Sequence, residues 1–155
     1  MTDEEYMEYH KNLVEAVKAY SNKDKQKTPA NSLTSQVIRW FEQQGGTARR
    51  VNTGGQYDKE LGKFRRSGMR RGFEDVDGTY PIYINGVKIG VKIAVEIKIN
   101  KDSLSEHQIE RKAELEAAGG IYIVAKKIED TIADIHAAIK ALYGRISGGL
   151  DGGAA

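Results

Sequence analysis

The chain of 155 residues contains no cysteine, which excludes disulfide bonds, thiolate metal ligands and cysteine nucleophiles. Proline is also scarce, with 2 residues. No apolar run approaches the roughly 20 residues that a transmembrane helix needs, and the acidic, polar N-terminus MTDEEYMEYH shows no secretory signal. We therefore expect a soluble chain with one main domain, no membrane association and a cytoplasmic location.

Positive charge is concentrated in one segment, although the net charge is only +2. The segment from Arg49 to Arg71 holds eight Lys and Arg residues and two acidic residues. Such a block suits the phosphate backbone of a nucleic acid, and a solvated basic loop is the plainer alternative. The candidate nucleic-acid-binding residues are Arg49, Arg50, Lys63, Arg65, Arg66, Arg70 and Arg71.

A long alternating segment is the clearest structural signal. From Val87 to Asn100 (VKIGVKIAVEIKIN) every odd position is β-branched and apolar, and every even position is polar or small. This pattern predicts a strand with one face in a core. Asn85-Gly86 predicts a hairpin turn to a preceding strand at about 73–84, in which Pro81 indicates an interruption or an edge position.

The remaining elements are predicted from apolar periodicity and from Gly and Pro positions. Helices are expected at about 3–20, 33–44, 106–118 and 129–143, and short strands at about 48–51 and 121–125, with a mobile loop after residue 51. The region 1–30 is expected to be a helical extension and linker, and 147–155 a disordered Gly-rich tail. The order of elements predicts an α/β fold with a central mixed sheet flanked by helices. The strand carrying Glu96 would lie in its middle, followed by a crossover helix and a parallel strand.

Candidate reactive groups lie on the two hairpin strands. Glu96 and Lys98 leave the same face of their strand, where they form either an ordinary ion pair or part of a site that binds a divalent metal and a phosphate. The segment GFEDVDG adds carboxylates upstream, of which we favour Asp75 over Asp77. Gln108 fits a capping box with the serine three positions before it, or a role in the site.

This ordered set resembles the PD-(D/E)XK nuclease superfamily, and within it the VRR-NUC family of small, often phage-encoded nucleases. The resemblance covers about residues 32–132. RRGFEDV stands where the family has Gly-x-Pro-Asp, VEIK matches Glu-x-Lys, and LSEHQIERK matches the Ser-x-x-Gln helix before a Gly-Gly pair and a final strand. It implies a restriction-endonuclease-like αβββαβ core with terminal helices, with 31–146 as the nuclease domain.

The resemblance also implies roles for individual residues. Lys98 would position or activate water, or stabilise the reacting phosphorus, and Gln108 would orient the site. Glu74 replaces the family's proline and is a possible extra ligand, while 34–36 lack the acid that many members carry near a second metal. The metal, Mg²⁺ or Mn²⁺, would be held by Asp75, Glu96 and the backbone carbonyl of Ile97.

The function so implied is metal-dependent endonucleolytic hydrolysis of DNA, duplex or branched. Cleavage would be structure-selective, like that of a junction resolvase, or weakly sequence-specific. A homodimer in a bacterial or phage-infected cell is expected, with the N-terminal helix as a candidate for dimer contacts. The alternatives are a catalytically inactive nucleic-acid-binding protein with this fold and a sequence-specific restriction-type nuclease.

Overall fold

A computed structural model describes residues 3–21, 28–51, 54–66 and 68–151. Residues 22–27, within the predicted linker, lie outside the described part of the chain. In chain order the elements are α1 (Asp3–Ser21), α2 (Pro29–Gln43), β1 (Thr47–Arg50), β2 (Gln56–Asp58), β3 (Lys63–Arg65), β4 (Val76–Ile84), β5 (Val87–Ile97), α3 (Glu106–Ala117), β6 (Ile121–Ala125) and α4 (Ile128–Asp151). Over the ranges described, no helix has the length and apolarity needed to cross a membrane.

The main sheet is mixed and has the strand order β1–β4–β5–β6. β4 and β5 form the predicted antiparallel hairpin through Asn85-Gly86, and β6 lies parallel to β5 after the crossover helix α3. An α/β architecture with a central mixed sheet is thereby confirmed, as is the inner position of the Glu96 strand. β4 runs through Pro81 without a break, and its ladder with β1 ends at Thr79, two residues before the proline.

The two faces of the sheet are covered differently. The α2 and α4 side holds most of the core, including Trp40, Phe41, Ile93 and Ile132. The opposite face is covered by α3 only near the C-terminal end of β5, where Ala94 and Glu96 are also buried. The prediction of a single buried face is therefore wrong at both ends of β5: residues 87–90 are exposed on both faces, and residues 93–97 are buried on both.

Helix α2 begins at Pro29, four residues earlier than predicted. The Thr28 side chain caps it by accepting a hydrogen bond from the Asn31 N–H at 3.3 Å. Proline at the first helical position lacks an N–H that would have no helical partner anyway. Pro29, which the sequence analysis assigned to the linker, is thus the first residue of a helix. The last residues of the predicted linker are therefore helical. From the preceding segment, α1 contributes Val14 and Val17 to the main core.

Helix α4 continues through Gly144 to Asp151, whereas the sequence predicted an end at Tyr143. Glycine in a helix interior costs only about 1 kcal/mol, and Leu142 and Ile146 pack against the core on either side of Gly144. The first five residues of the predicted disordered tail are consequently helical, and residues 152–155 lie outside the described part of the chain.

The basic segment is not a featureless loop, contrary to the prediction. It contains a two-stranded antiparallel hairpin formed by β2 and β3. Asp58 stabilises the turn between β2 and β3, because its Oδ1 accepts hydrogen bonds from the N–H groups of Glu60 and Leu61 at 3.0 and 3.1 Å. Gly62 supplies the positive φ of +60° that this turn requires.

Candidate functional site

The four candidate catalytic side chains come together where β5 ends, on the sheet face that α3 covers. Asp75, immediately before β4, accepts a hydrogen bond at Oδ2 from the backbone N–H of Ile97 at 2.8 Å. The Lys98 ammonium lies 3.3 Å from Oε1 of Glu96. Gln108, in the first turn of α3, donates from Nε2 to the same Oε1. Segments widely separated in sequence therefore form one polar cluster.

Gln108 both caps α3 and contacts Glu96, so its geometry is compatible with each of the two roles that the sequence left open. Its Oε1 accepts the N–H of Ser105 at 2.9 Å, and its own N–H donates to the Ser105 hydroxyl at 3.4 Å, which completes the capping box. The amide nitrogen of the same side chain is left to reach Glu96. Because the cap fixes the side chain at the helix start, it also fixes the donor that faces the site.

Glu96 is electrostatically unusual. It is 3% exposed, and its Oε2 atom is buried with no hydrogen-bond partner among the residues that the structure describes. Burial and then the negative charge of Asp75 raise the pKa of Glu96 to about 7, and Lys98 opposes part of that shift. A carboxyl in this environment is stabilised by a bound proton or by a cation.

The chemistry of this donor set fits a hard divalent cation. It offers the unpartnered Oε2 of Glu96 and the second oxygen of Asp75. Ile97, whose N–H binds Asp75, carries the backbone carbonyl that the resemblance adds as a ligand. Within the described ranges no group of three or more His, Cys, Asp or Glu side chains is arranged for metal binding. Mg²⁺ typically takes one or two protein carboxylates and keeps several waters, so two carboxylates satisfy its needs.

The other two upstream acids have partners of their own. Glu74 is 1% exposed and is bound by Arg111 at 3.1 and 3.4 Å and by Lys92 at 3.2 Å. Burial pushes the pKa of Glu74 upward, but hydrogen bonds from Arg111 and Lys92 outweigh it and the pKa lies below its usual range. Both of its oxygens are thus engaged, which disfavours the suggested role as an extra ligand.

Asp77 lies within β4, whereas Asp75 precedes that strand. Its carboxylate pairs with Lys92 and, at 3.2 Å, with Arg49. Asp75 precedes the strand, so strand alternation does not fix its direction and its side chain turns toward the end of β5. The structure therefore places Asp75, and not Asp77, against the Glu96 segment.

The seven basic candidates are all exposed, and four of them make polar contacts within the protein. Arg49 pairs with Asp77, Arg50 contacts Asn31 at 2.6 Å, Arg65 pairs with Asp58 at 2.8 Å, and Arg70 binds Glu114 through two nitrogens at 2.8 and 3.1 Å. Lys63 and Arg65 extend from the β2–β3 hairpin. The remaining two basic candidates are Arg66, directly after β3, and Arg71, five residues before β4.

Residues 70–72, here called the loop at Arg71, are packed against α3. Gly72 has a φ of +88°, and a Cβ added there would lie 2.4 Å from the carbonyl oxygen of His107. The Arg70–Glu114 pair fastens the same loop farther along the helix. Arg71 is consequently held near the turn of α3 that carries Gln108, which connects part of the basic segment with the carboxylate cluster.

Sequence reasoning missed three residues of this region. Arg111 follows Gln108 by three positions and so shares its helix face, and Lys92 precedes Glu96 by four positions on the same face of β5. These spacings are the signals that would have found them. The third is Tyr122 in β6, whose hydroxyl is buried without a hydrogen-bond partner among the described residues.

In comparisons with known proteins, the chain matches no protein family, no curated protein and no solved structure.

Proposed function

We propose that this chain is a metal-dependent DNA endonuclease with a restriction-endonuclease-like core, of the kind found in the VRR-NUC family. One observation carries the proposal. Asp75, Lys98 and Gln108 lie around Glu96 at the end of β5, and the Oε2 atom of Glu96 is buried there with no hydrogen-bond partner in the described part of the chain. Buried polar atoms are rarely left unsatisfied unless a ligand, ion or water completes them.

The residues of this site would have different roles in phosphodiester hydrolysis. Asp75, Glu96 and the Ile97 carbonyl would hold Mg²⁺ or Mn²⁺, which supplies Lewis-acid stabilisation and a more acidic bound water. Lys98, whose side chain is 15% exposed, offers its ammonium to the attacking water or to a phosphate oxygen. A new bond forms between the water oxygen and phosphorus as the bond to the 3′ oxygen breaks, leaving a 5′-phosphate and a 3′-hydroxyl.

Substrate binding is assigned to the basic segment. Its exposed Arg and Lys side chains suit the DNA backbone, and the loop at Arg71 connects them with the site. Contacts of this kind do not depend on base identity, so we propose structure-selective or weakly specific cleavage of duplex or branched DNA. The expected homodimer would bring two sites to two strands, and the exposed Met7 and Tyr9 of α1 suit its interface.

Cleavage of supercoiled plasmid and of a labelled four-way junction tests this function. Each substrate is incubated with Mg²⁺, Mn²⁺ or EDTA and with wild type, Glu96→Ala or Glu116→Ala, the last an exposed acid on α3 that serves as the matched control. We expect metal-dependent cutting that disappears in Glu96→Ala and persists in Glu116→Ala, while both variants still bind DNA.

The other outcomes separate the alternatives. If wild type cuts neither substrate with any metal but binds DNA in a salt-sensitive way, the protein is a nucleic-acid-binding protein without catalysis. A ladder of discrete fragments from long duplex DNA would instead indicate a sequence-specific restriction-type nuclease.

A further inference from the structure

Tyr122 lies beside the carboxylate cluster without any assigned role. In the parallel ladder of β5 and β6, Tyr122 is in register with Ala94, and Val124 is in register with Glu96. Alternation therefore directs the side chains of Tyr122 and Glu96 to the same sheet face, two positions apart along neighbouring strands. Tyr122 is 6% exposed and packs with Ala94 and Leu115 beneath α3.

Two buried polar atoms on this face lack partners among the described residues: the hydroxyl of Tyr122 and Oε2 of Glu96. One is a hydrogen-bond donor and the other an acceptor. Burial and then the charge of Glu96, followed by those of Glu74 and Asp75, raise the pKa of Tyr122. The hydroxyl accordingly keeps its proton, and the carboxylate that acts most strongly on it is the one with the unpartnered oxygen.

We propose that Tyr122 is a positioning residue of the site, donating through one buried water to Oε2 of Glu96. A bridging water gives the hydroxyl a partner and uses one of the two lone pairs of Oε2, so that the other lone pair stays open to a cation. Partners of metal-binding carboxylates fix their orientation, and losing one such partner typically weakens metal binding by about 10–100-fold. The link between Tyr122 and Glu96 does not depend on the proposed function, whereas its consequence for metal binding rests on that function.

The link is tested in metal-free protein with a double-mutant cycle. Thermal denaturation at pH 8 with EDTA is measured for wild type, Tyr122→Phe, Glu96→Gln and the double variant. Tyr122→Phe removes only the hydroxyl and keeps the packing of the ring. We expect the change in Tm of the double variant to differ from the sum of the single changes. Tyr83→Phe, at a residue that is 58% exposed, is combined with Glu96→Gln as the control, and its effects should add. Additive effects for Tyr122 as well would overturn the link.

The consequence is tested by Mn²⁺ titration in a calorimeter, together with plasmid nicking at saturating metal. We expect Tyr122→Phe to raise the Kd for Mn²⁺ about tenfold while nicking at saturating metal stays near the wild-type rate. An unchanged Kd would refute the positioning role even if the variant is less stable. If wild type neither binds Mn²⁺ nor nicks DNA, the proposed function fails, and the double-mutant cycle still decides whether Tyr122 and Glu96 are linked.

Discussion

Replacement of Glu96 by glutamine should stabilise the metal-free protein at alkaline pH. Below pH 4.5, the ordinary value for this group, the Glu96 carboxyl is protonated in both the folded and the unfolded chain and costs nothing. Between pH 4.5 and about 7 the unfolded chain releases its proton while the folded chain keeps it. The free energy of unfolding therefore falls as the pH rises through this window, and above it the penalty is complete.

The size of the stabilisation follows from the shift in the pKa of Glu96. Raising the pKa of Glu96 from 4.5 to about 7 corresponds to a penalty of about 3 kcal/mol at 1.36 kcal/mol per unit. This is an upper limit for Glu96→Gln, because Lys98 loses its charged partner in the variant. In a chain of this length such a change shifts Tm by roughly 6–12 °C.

The stabilisation by Glu96→Gln is measured by thermal denaturation of wild type and the variant in EDTA at pH 5 and pH 8. We expect similar Tm values at pH 5 and a higher Tm for Glu96→Gln at pH 8. Added Mg²⁺ should raise the Tm of wild type but not that of Glu96→Gln, since a ligand that binds only the folded state stabilises it. Glu116→Gln, on the exposed side of α3, should behave like wild type throughout. A Tm difference between Glu96→Gln and wild type that is the same at both pH values would refute this reasoning.

Three further changes have defined outcomes. Arg111→Met leaves the buried Glu74 with Lys92 alone, so chemical denaturation should show a loss of about 3–5 kcal/mol; a loss below 1 kcal/mol would contradict the importance of this ion pair. Arg71→Ala should weaken DNA binding for every sequence and lower the slope of log K against log salt by about 1, whereas Lys140→Ala on α4 should not; equal slopes for both would remove Arg71 from the DNA interface. Gly144→Ala, where an added Cβ contacts nothing within 4 Å, should raise the free energy of unfolding by about 0.5–1 kcal/mol, and a decrease would argue against a helix at this point.

The sequence predicted those features that depend on local chemistry. The β4–β5 hairpin follows from Asn85-Gly86, and the start of α3 follows from Ser105 and Gln108. Strand alternation also placed Glu96 and Lys98 on one face, and the structure brings them together. Each of these signals lies within a few residues of the feature it specifies.

Features that depend on distant segments were not predictable in this way. Burial of both faces at the end of β5 requires α3 to fold back over it, which alternation within the strand does not encode. The Arg111–Glu74 pair joins residues that are 37 apart in the chain. Helix α4 passes Gly144 because core contacts on both sides outweigh the low helix propensity of one residue.

A comparison of two buried glutamates strengthens the case that Glu96 takes a cation from outside the chain. Glu74 and Glu96 are both at most 3% exposed on the same side of the sheet. Glu74 is bound by Arg111 and Lys92, and its pKa lies below the usual range. Glu96 contacts one cation, Lys98, through one oxygen, while its other oxygen has no partner among the described residues and its pKa rises to about 7. The same fold thus neutralises one buried carboxylate fully and leaves its neighbour short of positive charge. Because a buried charge that is only partly compensated is costly, this difference favours a functional reason for Glu96, and a divalent cation bound together with Asp75 would supply one.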